Sequence, residues 1–184
     1  MTTPAYVTLM ASYNAWMNGK LYAAASTLPH QELVAPRGAF FGSIQGTLNH
    51  VVVADTIWLS RFAMHPSKSP VLAELAALKP PAALDEVAFH DFTALTEHRQ
   101  RLDDLITRWA ASLTDDDLAA TLSYSNMKGV PSARPMGGVV VHFFNHQTHH
   151  RGQATTLLSQ AGLDVGVTDL LALVGDDLVE TAHR

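Results

Sequence analysis

Apolar side chains recur with a helical period through most of this chain. Tyr6, Leu9, Met10, Tyr13, Trp16, Met17 and Leu21 fall at that spacing. Thr3 and Pro4 precede them as a natural N-cap and first-turn pair. The pattern predicts a first helix ending near Leu28, ahead of Pro29. Asn14 and Asn18 lie within it and read as solvated polar positions. Residues 29–42 read as a connection punctuated by Pro29, Pro36, Gly38 and Gly42. Within it, Phe40 and Phe41 are expected to anchor on the core and Arg37 to sit at the surface. Ser43 then caps a second helix over 44–64, with Ile44, Leu48, Val51, Val52, Ile57, Trp58, Leu59 and Phe62 as its apolar set.

Residues 65–84 read as a loop with a short helical piece at 71–78, bounded by Pro66, Pro70, Pro80 and Pro81. A third long helix is predicted from about Leu84 to Ser112. Glu97, Arg99, Arg101, Asp103, Asp104 and Arg108 form its charged face, and His90 and His98 read as solvated. Thr114 to Asp117 is expected to start a helix rather than bind metal. Alternation in Thr121–Ser125 and again in Val130–Pro135, broken at Gly129, suggests a small β-hairpin. A further apolar helix then runs from about Met136 to Leu158, with Gly162 as its C-terminal stop. Thr168 is placed to cap a last helix over 169–180. Elements of this kind, joined by modest loops, predict an all-α helical bundle in one domain spanning 1–184.

Composition narrows the function classes. The chain has 12 Lys and Arg against 17 Asp and Glu, a net charge of −5, and no basic block. A nucleic-acid groove needs clustered positive charge, so DNA and RNA are disfavoured as partners. No apolar run reaches membrane-spanning length and the N-terminus does not read as a leader, so a soluble cytoplasmic protein is expected. Cysteine is absent. A metal would have to use histidines and carboxylates, and thiol chemistry would need a thiol from outside.

The last long helix carries the candidate chemistry. His142, His146, His149 and His150 place four of the ten histidines within nine residues. Residues four apart share a helix face, so His142/His146 or His146/His150 can bind one ion together. His142 and His150 are separated by roughly 12 Å of helix rise, so all three cannot share it. Spacing alone leaves the pair open. His50, the one histidine in the body of the second helix, is the candidate third ligand, with Thr47 and Asn49 nearby as candidate supporting hydrogen-bond partners.

The stretch Gly46-Thr47-Leu48-Asn49-His50-Val51-Val52-Val53-Ala54-Asp55-Thr56-Ile57-Trp58-Leu59, with Asn145-His146-Gln147-Thr148-His149-His150-Arg151-Gly152-Gln153, resembles the DinB family of the DinB/YfiT-like superfamily. Asn14 to Asn18 and Arg37 to Ile44 also look like its N-terminal half. The resemblance implies a four-helix bundle in up-down-down-up order. It implies a divalent metal held by one histidine of the second helix and two of a later helix, here His50, His146 and His150. His142 then becomes a neighbour on the same stripe and His149 a supporting or surface residue. Some relatives have a further histidine where this chain has Gln153, which leaves a fourth ligand open. The family is often homodimeric, and the resemblance implies no DNA binding.

Imidazole ligands suit zinc or nickel better than manganese or iron. Two functions compete. One is a metal-dependent enzyme, either a transferase or isomerase using a low-molecular-weight thiol or a hydrolase using water on a small-molecule substrate. Asp55, Arg37, Arg151 and Tyr124 are its candidate orienting groups. The other is a non-catalytic metal- or ligand-binding stress-response protein that acts as a dimer.

Overall fold

Each long apolar stripe becomes a helix, and local capping chemistry sets most of the ends. The computed structural model describes residues 2–77 and 81–175. Helix α1 spans Pro4–Ala25, and the Thr3 hydroxyl accepts from the Tyr6 amide at 3.2 Å. A short α2, His30–Val34, lies within the predicted connection. Helix α3 spans Ile44–Phe62 behind Ser43, whose hydroxyl accepts from the Gly46 amide at 3.0 Å. Helix α4 spans Phe92–Ser112, and a five-residue α5, Asp115–Ala119, starts in a capping box between Thr114 and Asp117. Strands β1 (Thr121–Ser125) and β2 (Pro131–Pro135) form the hairpin, with Thr121 opposite Pro135 and Ser125 opposite Pro131. Helix α6 spans Met136–Gln160. It closes in a Schellman motif: the Leu163 amide donates to Leu158 O at 3.0 Å and Gly162 sits at φ +82°.

Contacts between helices fix their directions. Asn14 and Asn18 of α1 meet Asp103 of α4, and Tyr22 stacks on Phe92, so α1 and α4 are antiparallel. His50 faces His150 and Trp58 faces His142, so α3 and α6 are antiparallel. Asp55 meets Arg99 and Phe62 stacks on Trp109, so α3 and α4 are parallel. Thr2 reaches Gly137 while Asn14 reaches Arg151, so α1 and α6 are parallel. The result is the up-down-down-up order. Buried Leu21, Leu48, Leu59, Phe62, Leu95, Ile106, Trp109, Phe143 and Phe144 fill the centre, and Leu122 inserts from the hairpin.

Four expectations about the chain path need correction. The helix predicted from Leu84 begins only at Phe92. After a turn at 84–85, side chains of α3 hold the chain around 89–90 in a non-helical path instead. Asn49 accepts from the Phe89 amide at 2.9 Å and donates to the Phe89 carbonyl at 3.0 Å, and Gln45 donates to His90 O at 2.7 Å. Long-range bonds to the backbone therefore outweigh local helical periodicity, and Asp91 becomes the N-cap.

The helix expected over 169–180 is, within the described residues, a 3-10 turn at Leu170–Leu173; residues 176–180 lie outside them. Tyr13 donates to Thr168 O at 2.7 Å and Lys20 donates to Val167 O, which lays this segment across α1. Phe40 does not anchor on the core but is 87% exposed; Phe41 alone turns inward. Asn14, Asn18, Arg99 and Asp103, read as solvated, are buried between the helices.

Gly46 marks a close approach. A Cβ there would overlap the Phe41 carbonyl oxygen. Gly46→Ala should gain up to about 1 kcal/mol of helix propensity and lose about 1–3 kcal/mol to overpacking against backbone. Net destabilisation is expected, with displacement of the 37–43 loop. Denaturant unfolding measures the first effect. Loss of the ring-current shift of Phe41 on His50 measures the second, and an unchanged shift would refute it.

Candidate metal centre

Two helices build the site. On α6, His146 and His150 sit one turn apart on the face toward α3, with ring nitrogens Nε2 3.1 Å apart. On α3, His50 projects between them, its ring 4.4 Å from His150 and 5.3 Å from His146. One nitrogen from each of the three lies within 4.8 Å of the others, so the cluster could hold a metal ion. His50 and His150 are buried and His146 is half-buried. Of the pairs left open by spacing, the structure brings His146 and His150 together with His50.

Hydrogen bonds orient two of the rings. His50 Nδ1 lies 2.8 Å from the Leu84 carbonyl oxygen, and His150 Nδ1 lies 2.8 Å from Gln153 Oε1. Both oxygens can only accept, so each Nδ1 carries the proton and donates it. That fixes the tautomer and turns the Nε2 lone pair inward, as ligand histidines require. Gln153 Nε2 in turn donates to His149 Nε2 at 3.3 Å. Gln153 therefore stands behind His150 as its acceptor.

Burial lowers the pKa of all three imidazoles. His146 falls furthest, to about 3, because burial combines with the neighbouring His150 and His50. Lone pairs are then available at neutral pH without acidic competition. The donor set of three neutral imidazoles suits a borderline cation such as zinc or nickel.

This also sets a pH dependence for the metal-free protein. His146 is depressed in the fold from 6.5 to about 3, so the unfolded chain binds the extra proton. Its contribution to stability is complete above about pH 6.5 and is lost as pH falls toward 3. Unfolding midpoints of metal-free protein should fall over that window, and less steeply in His146→Gln. Equal slopes would contradict the assignment.

Aromatic rings enclose the cluster on one side. Phe41 stacks on His50 at 3.8 Å with an interplanar angle of 14°, and meets His150 edge-on at 5.6 Å. On the other side a cleft of about 420 Å³ borders His146, lined in part by Ile57, Trp58, Arg61, Met127 and Lys128. A second cavity of about 510 Å³ shares Trp58 and His142 with it and reaches Tyr124 and Arg134.

The remaining candidates distribute unevenly. His142 is exposed and packs edge-on against Trp58 at 5.2 Å; His149 is exposed behind Gln153. Thr47 bonds within its own helix to Ser43 O and does not support the cluster. Asn49 does so indirectly, by holding the Phe89 backbone of the same connection that carries the Leu84 carbonyl. Arg37 pairs with Glu32 at 2.6 Å. Of the orienting groups, Tyr124 lines the cavity that also reaches Trp58 and His142. Asp55 and Arg151 are instead fully engaged beneath the histidines. Asp55 accepts from Gln147 at 2.7 Å and pairs with Arg99, which pairs with Asp103 at 2.9 Å. Arg151 donates to Asn14, whose amide donates to Asp103 at 3.0 Å. This closed network of two carboxylates and two guanidiniums underpins the turn of α6 that carries His146 and His150.

Sequence reasoning missed that network, the Leu84 acceptor and the Trp58–Arg61–Lys128 wall. The network had a readable signal. Arg99 and Asp103 continue the stripe of Leu95, Leu102 and Ile106, and Asn14 and Asn18 that of Met10, Met17 and Leu21.

Comparison with known proteins agrees with this arrangement. The chain is 26% identical over 166 residues to the Protein DinB of Bacillus subtilis (strain 168), covering 85% of this chain and 87% of that one. No solved structure matches it significantly. A sequence model of the DinB family matches residues 1–176. With that match spanning nearly the whole chain, the protein belongs to the DinB family.

Proposed function

We propose that His50, His146 and His150 hold one divalent ion, zinc or nickel, through their Nε2 atoms, and that the protein is a metal-dependent enzyme. The observation that carries this reading is the pairing of the cluster with a cleft. Two of three imidazoles have Nδ1 committed to acceptors, and His146 borders a cavity of about 420 Å³. A purely structural histidine cluster needs no such opening.

A divalent ion bound by three neutral ligands acidifies a thiol or water and polarises a carbonyl. The chain's own residues prepare the surroundings. Phe41 covers the His50 face and excludes water there. Gln153 and the Leu84 carbonyl hold the imidazole protons away from the cluster interior. The absence of cysteine makes any thiol nucleophile external, a low-molecular-weight thiol in a transferase or isomerase; in a hydrolase water takes its place. The hairpin forms the rim over which a substrate enters.

The test is metal analysis and X-ray absorption on protein purified without a polyhistidine tag. One ion per chain with three imidazole nitrogens and additional non-protein ligands is expected. Sub-stoichiometric metal, with a melting temperature unmoved by chelation, would overturn the reading.

A further inference from the structure

The cleft beside His146 carries one sign of charge. Arg61 comes from the end of α3 and Lys128 from the hairpin turn. The adjoining cavity adds Arg134 from β2. Among the described residues lining the two, none is acidic. The chain as a whole has 17 acidic against 12 basic residues, so the bias is local and opposes the average.

Arg61 is held for recognition. Its guanidinium lies over the Trp58 ring at 4.4 Å and the Tyr124 ring at 5.0 Å. Among the described residues it has no carboxylate partner, whereas Arg37, Arg99 and Arg108 are all paired. Stacking occupies the faces of the guanidinium and leaves its in-plane N–H edge for a planar anion. Partial burial already lowers its pKa, so an arriving anion would replace lost hydration.

The cleft also has an apolar body and two ends. Ile57, Trp58 and Met127 form its wall between Arg61 and His146. Arg61 follows His50 by eleven residues, roughly 16 Å of helix rise. The guanidinium leans back over Trp58, so the cation and the histidines stand apart with the Trp58 ring beside the cation.

We infer that this cleft takes a small amphiphilic anion, with a carboxylate or similar oxyanion on Arg61 and Lys128, an apolar segment along Trp58, and its reactive end at His146. The position of the reactive end rests on the metal-site reading; the anion end does not. A polyanion is a poor fit, because three cations spread over two adjoining cavities make no continuous basic track.

The experiment compares 6-mercaptohexanoate with 6-mercaptohexanol by calorimetry on zinc-loaded protein. The acid should bind about tenfold tighter or more, the range of a charge-assisted pair. Arg61→Gln should abolish that preference while metal content and melting stay unchanged, and Lys128→Gln, on an exposed turn, should reduce it. Equal affinity for acid and alcohol, or a preference that survives both substitutions, overturns the inference. Hexanoate titrated into metal-free protein separates the two readings. A shift of the Arg61 side-chain Nε–H signal with hexanoate, and none with hexanol, supports the anion end even if neither thiol binds. No shift there, with no thiol preference, overturns it.

Discussion

Replacing His146 with alanine should strip stoichiometric metal from the protein and, with it, any metal-dependent turnover. His146 is the residue the other two converge on, with His150 Nε2 3.1 Å from its own Nε2 and the His50 ring 5.3 Å away. Two imidazoles remain in the variant, too few to hold an open-site ion firmly. The loss of affinity should exceed the roughly 10–100-fold that follows removal of a hydrogen-bond partner behind a ligand. Gln153→Ala provides that lesser case, since it removes only the acceptor of His150 Nδ1. His142→Ala, on the same stripe but turned to Trp58, should leave metal content unchanged. Competition with a chelating dye measures all three. A panel of thiols and electrophiles measures turnover, and activity that survives His146→Ala would refute the metal-dependent mechanism.

Arg99→Met should be the most damaging single change to stability away from the histidines. Arg99 is 1% exposed and stands between Asp55 and Asp103, which are 0% and 9% exposed. Removing it leaves two buried carboxylates without their main counter-charge, at a cost of about 3–5 kcal/mol. Burial already raises both carboxyl pKa values despite Arg99. Without it they rise further, so the defect should shrink as pH falls and the carboxyls take up protons. Adding Asp55→Asn and Asp103→Asn should recover part of the loss, because the unpaired charge is its chief source. Arg108 pairs with Glu74 and Asp104 in solvent, and Arg108→Met should change little. Denaturant unfolding at several pH values checks the series. A cost for Arg99→Met no larger than for Arg108→Met would show that the network does not carry the bundle.

The contrast between those two arginines explains how far the sequence could be read. The helices were legible because apolar periodicity and caps are local: Thr3, Ser43 and Gly162 act within a few residues of themselves. The crowding of His146 and His150 on one helix face was legible for the same reason, and the resemblance pointed to His50, which lies beside them. What failed was long-range. Asn49 and Gln45 bind a backbone about forty residues away and so cancel the helix expected from Leu84. Arg99 looks like Arg108 in a list of charged residues. Only its place on the stripe of Leu95 and Ile106 tells them apart. Trp58 reads as a core residue until Arg61 and Tyr124 are seen against it.

The hairpin contributes Tyr124, Met127, Lys128 and Arg134 to the clefts, yet none of the three clustered histidines. Its tip, from Asn126 to Gly129, is exposed and closed by its own turn bonds, while Leu122 is buried in the core and Tyr124 packs against it. On the proposed reading, the turn can therefore adjust ligand preference from outside the helices that hold His50, His146 and His150, while Trp58 and Arg61 set the rest of it from α3 itself. Exchanging residues 126–130 for another turn of equal length should weaken the preference for an anion, as loss of Lys128 does, while the histidines, and the bundle that aligns them, go on as before.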